Sequence, residues 1–225
     1  MIYELRQYTL RPGVRDAFVE LFEREMIDGQ EEAGISVPGV FVDVDRPDMF
    51  VWMRKFPDME SRRLALEAFY FHSPVWRAHR DEANSMMIDS DDVLLLHPVQ
   101  DPSEHPAGHP AEAAPPYRHE FSGSADRHAL YVATVCPVKP GFPAAQAARE
   151  LGAVAAFETE HAENTFPRLP VRAGENVFVW FALFERAAGE DPAMPTGPAM
   201  PGLGDWLTAP PQRLRLAPTP RSALR

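Results

Sequence analysis

The chain has 225 residues, a formal net charge of −11 and a hydrophobic fraction of 45%, enough for real cores in one large or two small domains. The negative charge argues against nucleic acid or an anionic membrane as partner, since both are polyanions. A single cysteine, Cys136, excludes an intrachain disulfide and fits a reducing cytoplasm, and no apolar run approaches the roughly 20 residues needed to span a bilayer.

In chain order, Ile2 to Leu10 alternates in polarity and reads as a first strand, with Ile2, Glu4, Arg6, Tyr8 and Leu10 on one face. Arg11-Pro12-Gly13 is a turn, and Val14 to about Gly29 has a helical period through Phe18, Leu21 and Phe22. Val40 to Val44 reads as strand two. Arg46-Pro47-Asp48 then turns into strand three, the run Phe50-Val51-Trp52-Met53-Arg54-Lys55-Phe56, so the two form an antiparallel hairpin. Asp58 or Ser61 is placed to cap a helix to about Phe69, with Leu64, Leu66 and Ala68 inside. Ser73-Pro74 restarts it, with Val75 to Met87 carrying Trp76 and His79. Asp89-Ser90-Asp91-Asp92 reads as a turn before strand four, Val93 to Leu96.

The aromatic run returns as Phe178-Val179-Trp180-Phe181-Ala182-Leu183-Phe184, 128 residues later, and the same offset maps Arg11-Pro12-Gly13 onto Lys139-Pro140-Gly141. Two matches at one offset indicate an internal duplication. In the second copy, Leu130 to Val138 repeats strand one, Phe142 to His161 helix one, Arg168 to Arg172 strand two, Val177 to Phe184 strand three and Arg213 to Leu216 strand four. The second helix has decayed into the Pro- and Gly-rich stretch 189–204. The division is therefore residues 1–99, a Pro- and Ala-rich linker at 100–125, and a degenerate second unit at 126–220.

The order β-α-β-β-α-β makes each half ferredoxin-like, a class α+β unit whose sheet has one bare face. Two such sheets bury those faces against each other, giving tandem ferredoxin-like units in a pseudo-dimeric α+β barrel with a small lumen as the ligand site. The chain opens directly in a strand pattern without a basic-then-apolar leader, so the expected location is cytoplasmic. The scarcity of lysine, with only Lys55 and Lys139, reads as the mark of a GC-rich bacterial genome.

The stretch Ile2-Tyr3-Glu4-Leu5-Arg6-Gln7-Tyr8-Thr9-Leu10 with Arg11-Pro12-Gly13 resembles the opening of the NIPSNAP family. So do Pro74-Val75-Trp76-Arg77-Ala78-His79 and Val93-Leu94-Leu95-Leu96-His97-Pro98, while Glu160 to Val171 resembles a two-domain bacterial branch. The resemblance implies the dimeric α+β barrel superfamily, which includes small monooxygenases, haem-degrading enzymes and polyketide cyclases. It implies no agreed chemistry for particular residues. Phe71-His72-Ser73 departs from the small turn expected before Pro-Val-Trp.

If the Glu4 face of strand one lines the lumen, Glu4, Arg6 and Tyr8 supply an acid or base, a guanidinium and a phenol, and are the candidate catalytic residues. The bland alternative is a structural Glu4–Arg6 pair, the two being about 7 Å apart along the strand. Trp52 and Arg54, with Trp180 in the repeat, are candidates for holding a flat anionic ligand, together with His72 and Arg168; the bland reading of the tryptophans is plain core. His72 and His79 lack a metal-ligand spacing, His105 and His109 lie in the linker, and Cys136 reads as an apolar filler. No phosphate loop, dinucleotide fingerprint or nucleophile elbow occurs.

These residues lead to two expectations. One is a barrel that binds a small organic acid, aromatic or polyketide-like, and acts on it without cofactor or metal, as a monooxygenase or cyclase would. The other is a non-catalytic interaction or ligand-carrier protein. A small molecule is the expected partner, with no nucleic acid and no membrane, and self-association into a homo-oligomer is left open. An open polar lumen favours the enzyme, a filled apolar one the scaffold.

Overall fold

The computed structural model describes residues 1–99, 128–186 and 202–223, so the expected linker and most of the 189–204 loop lie outside the described residues. The first half runs β1 (Ile2–Leu10), α1 (Arg15–Leu21), a π-helical turn (Phe22–Met26), α2 (Ile27–Glu32), β2 (Ser36–Asp43) and β3 (Met49–Phe56). It continues with α3 (Met59–Glu67), a second π-helical turn (Ala68–His72), α4 (Pro74–Met86) and β4 (Met87–Pro98). The second half has β5 (His128–Pro137), α5 (Ala144–Glu150), β6 (Ala155–Thr159), β7 (Val177–Arg186), α6 (Leu203–Trp206) and β8 (Gln212–Pro218).

All eight strands close into one antiparallel barrel in the order β1-β3-β2-β8-β5-β7-β6-β4. The fold is thus class α+β, two ferredoxin-like sheets joined at the β2–β8 and β4–β6 seams. The duplication holds at the level of register. Leu5 pairs with Met53, and 128 residues later Ala133 pairs with Phe181. The partners on the last strands, Leu94 and Leu214, are 120 apart instead, so the second half has lost eight residues between its third and fourth strands. Gly13 and Gly141 both turn the chain at positive φ, 77° and 81°, a region that glycine enters without the Cβ clash.

Capping follows local chemistry. Asp58 accepts from the Ser61 amide at 2.7 Å to open α3, and Ser73 does the same for Trp76 at the head of α4, with Pro74 at the first helical position. Three local expectations are corrected. Asp89 to Asp92 belongs to β4, at an irregular stretch of its pairing with β1 where Asp89 accepts from the Asp91 amide. The helix expected over Phe142 to His161 ends at Glu150, where Gly152 adopts φ 60°, and the following alanines form β6. Alanine favours helix, but the barrel needs a strand here between β4 and β7, and tertiary pairing overrides propensity. Arg168 to Arg172 is consequently not a strand; it lies in the long β6–β7 loop.

The barrel has two chemically distinct faces. Inside, Leu5, Phe41, Val51, Met53, Leu94, Leu96, Val179, Phe181, Leu214 and Leu216 pack into one apolar cluster, with Gln7 and Gln212 bonded amide to amide at 2.9 Å. The lumen is filled, which corrects the expectation of a ligand chamber there. Outside, the helices of the first half cover Ile2, Tyr8, Leu10, Phe50, Trp52 and Leu95.

Candidate functional site

The face of β1 that carries Glu4, Arg6 and Tyr8 points outward, beneath the helices, and not into the lumen as anticipated. The antiparallel register sets Glu4 beside Arg54 and Arg6 beside Trp52 on β3. From above, α3 delivers Arg62. The Glu4 carboxylate collects all three guanidiniums: Oε2 accepts from Arg6 Nη1 at 2.6 Å and Arg54 Nε at 2.7 Å, and Oε1 from Arg62 Nε at 2.6 Å. All four side chains are buried, with relative exposures of 0 to 1%.

One carboxylate against three guanidiniums leaves a formal surplus of two positive charges in the interior. Isolated buried charge is costly, so the surplus must be compensated by hydrogen bonds, aromatic faces or a ligand. Part of the compensation is present. Arg6 lies 5.7 Å from the Trp52 ring and Arg54 5.4 Å from it, which is cation–π range. Arg6 Nε donates to the Tyr8 hydroxyl at 2.9 Å, Arg54 Nη1 to the Tyr70 hydroxyl at 3.3 Å, and Arg62 Nη1 to Asn164 Oδ1 at 3.0 Å. Among the described residues, Arg54 Nη2 and Arg62 Nη2 are buried without a hydrogen-bond partner.

The electrostatics rule out one expected role. Burial alone would raise the Glu4 carboxyl, but Arg54, Arg6 and Arg62 outweigh it and hold the group well below the usual carboxylate range. A carboxylate so held, with both oxygens occupied, cannot take a proton as a general base; Glu4 is the anchor of the cluster. Burial likewise tends to lower Arg6, yet Tyr8 and Glu4 leave it raised, while burial pulls Arg62 down. Burial pushes the Tyr8 phenol up against the pull of Arg6, so it stays protonated and can donate.

Next to this cluster, between sheet and helices, lies a cavity of about 40 Å³. Its walls are Tyr8, Phe18, Phe22, Met26, Gln30, Trp52, Phe69, Tyr70, Trp76, Ala83 and Met87. Both π-helical turns contribute, through Phe22 and Met26 and through Phe69 and Tyr70. Such single-turn irregularities are frequent at functional sites. Two of the lining residues hold buried polar atoms that have no hydrogen-bond partner among the described residues, Trp52 Nε1 and Gln30 Oε1.

The other expected residues fall elsewhere. Trp180 sits on the outer face of the second half, beside Cys136 and Phe178. There the positions matching Glu4, Arg6, Tyr8 and Arg54 are Val132, Thr134, Cys136 and Ala182, so among the described residues the charged cluster is not repeated in the second half. Burial raises the Cys136 thiol to about 11, in keeping with a filler. His72 is exposed at the end of its π-helical turn, and Arg168 is exposed with its guanidinium 5.1 Å from the Phe71 ring; neither reaches the cavity.

Arg62 and Tyr70 escaped the sequence reading. Yet Arg62 occupies the stripe completed by Ala65, Leu66 and Phe69, and a charge at an i, i+3, i+4, i+7 apolar position was the available signal. Leu64, expected inside, is 52% exposed on the opposite face.

A second, solvent-open hollow of about 280 Å³ lies by the β4–β6 seam, lined by His97, Lys139, Glu158, His161 and Asn176 among others. Lys139 Nζ already donates to the Asp205 carbonyl at 2.6 Å. Among the described residues, no group of three or more His, Cys, Asp or Glu is placed to hold a metal ion, and no helix is long and apolar enough to cross a membrane.

Residues 3–102 match the sequence model of NIPSNAP. They form a NIPSNAP domain. Among solved structures, an uncharacterized NIPSNAP domain protein from Burkholderia xenovorans is 18% identical, covering 44% of this chain and 95% of its own, with a TM-score of 0.40. A NIPSNAP-like domain protein from the same organism is 27% identical over 44% of this chain and 84% of its own, at a TM-score of 0.40. The whole barrel is matched by a proposed monooxygenase from Lactobacillus acidophilus, 12% identical over 96% of this chain and 93% of its own, at 0.53. That last likeness is one of fold. No curated protein matches the sequence. The charged cluster and the aromatic cavity both belong to the NIPSNAP domain, and among the described residues the second half contributes the loop residues Asn164, Thr165, Phe166 and Leu169 against them.

Proposed function

We propose that residues 1–99 bind a small aromatic acid in the cavity between sheet and helices. The second half closes the barrel through β5 to β8 and lays the β6–β7 loop against the charged cluster. The observation that carries this reading is the coincidence of four polar groups on one aromatic-walled cavity. The Tyr8 and Tyr70 hydroxyls are each already hydrogen-bonded by an arginine, and Trp52 Nε1 and Gln30 Oε1 are left unpartnered. The Tyr8, Tyr70 and Trp52 donors and the Gln30 carbonyl, in a space walled mainly by aromatic and aliphatic side chains, form a recognition pattern for a ring that bears oxygen. At about 40 Å³ the space as it stands holds about three waters, given about 10–15 Å³ per water by this measure, so a ring displaces them and requires the pocket to widen.

The chemistry such a site supports is stabilisation of an oxyanion by preorganised donors backed by cationic charge. That is what a cofactor-independent monooxygenase or a cyclase requires of its protein. The non-catalytic carrier remains the second reading, and one observation favours it: the cavity lining contains no carboxylate, imidazole or amine to move a proton.

A thermal-shift and tryptophan-fluorescence screen of single-ring phenols, benzoates and quinones tests the proposal. Ligands that stabilise the wild type and fail with Tyr8→Phe support it, and a panel with no stabilising member refutes it. Oxygen uptake or product formation with a confirmed ligand separates the enzyme from the carrier.

A further inference from the structure

Building on that reading of the cavity, the ionisation state of the ligand follows from what stands behind its walls. The arginines do not line the cavity, so no guanidinium fork is presented there for bidentate capture of a carboxylate. They act through the two phenols. Arg6 Nε and Arg54 Nη1 occupy an acceptor site on the Tyr8 and Tyr70 oxygens, which leaves each O–H free to donate. A hydroxyl polarised by a cation is a stronger donor, and its preferred acceptor is a single anionic oxygen.

The charged groups behind the cavity wall sum to a net positive charge. β1 contributes Glu4, Arg6 and Tyr8, β3 contributes Arg54, α3 contributes Arg62 and the second π-helical turn contributes Tyr70. From α2 comes the neutral Gln30. Asn164 of the β6–β7 loop is neutral, and the Ser90 carbonyl of β4 accepts from Arg6. His79 of α4 pairs with Glu25 and Glu82 on the partly exposed side of the helices, and it does not line the cavity. Among the described residues the only carboxylate paired with the three guanidiniums is Glu4, so the net charge behind the cavity wall is positive.

We infer that the site selects a weakly acidic phenol or enol and holds it as its anion, the oxyanion accepting from the Tyr8 and Tyr70 hydroxyls. The step balances simply. The ligand O–H breaks, its electron pair stays on oxygen, and the proton goes to solvent, because no cavity residue can accept it. One proton is released for each neutral ligand bound, and the missing general base ceases to be an obstacle, since the bound substrate is already deprotonated.

The probe is 4-nitrophenol, whose phenolate absorbs in the visible and whose phenol does not. Titrated with the full chain across neutral pH, the bound probe is expected to ionise with its midpoint lowered by about one pH unit or more, as for an acid near opposite charge. Tyr8→Phe is expected to weaken phenolate binding about tenfold, the loss of one hydrogen bond to a charged group. Arg54→Met is expected to return the midpoint toward the free value. A bound probe whose midpoint is unmoved or raised overturns the inference while leaving the binding site standing. Binding that Tyr8→Phe does not weaken places the phenolate elsewhere and also overturns it. If neither 4-nitrophenol nor any phenol or benzoate of the screen binds, the proposed function itself falls. Should Arg54→Met fail to fold, the wild-type titration decides alone.

Discussion

Replacing Glu4 by glutamine removes the only negative charge that three buried guanidiniums share. The shape is nearly unchanged, so the effect is electrostatic. An amide oxygen can still accept from one arginine, but its NH₂ then faces another donor, and the buried charge rises from a surplus of two to three. Breaking one buried ion pair by removing a partner typically costs about 3–5 kcal/mol, and here three pairs share the anion, so 3 kcal/mol is the floor. At about 2–4 °C per kcal/mol for a chain this long, the melting temperature falls by about 6 to 20 °C.

The pH dependence carries the same sign. The folded Glu4 is held well below its unfolded value of 4.5, so its stabilisation is fully present above that value and is lost as pH falls toward the folded one. Wild type loses stability progressively below about pH 5, and Glu4→Gln lacks this component of the acid limb. Thermal melts of both proteins between pH 3 and 8, followed by circular dichroism, measure it. A variant that melts within about 2 °C of wild type at pH 7 refutes the reasoning, and so does an unchanged acid limb.

Arg62→Met, by contrast, lowers the buried surplus and leaves Glu4 two partners, so it costs less than Glu4→Gln, about 0–2 kcal/mol by urea titration. Phe181→Ala in the lumen opens a void in packed core and costs about 3–5 kcal/mol; a cost under 1 kcal/mol in the same titration would mean the lumen is not filled. Native Cys136 reacts with a thiol reagent at pH 8 only on unfolding, because it is buried and its thiol is raised to about 11; labelling kinetics with and without urea check this.

How far the sequence reaches differs between fold and site. Strands one and three were legible twice over, because Phe50–Phe56 and Phe178–Phe184 repeat at a constant offset and repeats share register. The second half misled where alanines from Ala153 onward favour helix in isolation but pair between β4 and β7 in the barrel. Glu4, Arg6, Tyr8, Trp52 and Arg54 were legible as a group through two-residue periodicity. Which side they face was not. In a helix-covered barrel both faces of a strand are buried, so alternation sorts residues into two sets without saying which set is the lumen. Arg62 and Tyr70 come from another element and join the group only through the packing of α3 and its π-helical turn on the sheet. Trp180 shared the pattern without the chemistry, since its neighbours in register are Thr134 and Ala156.

The central claim is that the ligand sits outside the barrel, under the helices of the NIPSNAP domain. A crystal structure of the protein soaked with a phenol that stabilises it tests this most directly. The account predicts ring-shaped density against Trp52 and Phe69, with its oxygen within hydrogen-bond distance of the Tyr8 and Tyr70 hydroxyls. Density inside the barrel among Leu5, Met53 and Phe181, with the cavity beneath the helices unchanged, would contradict it.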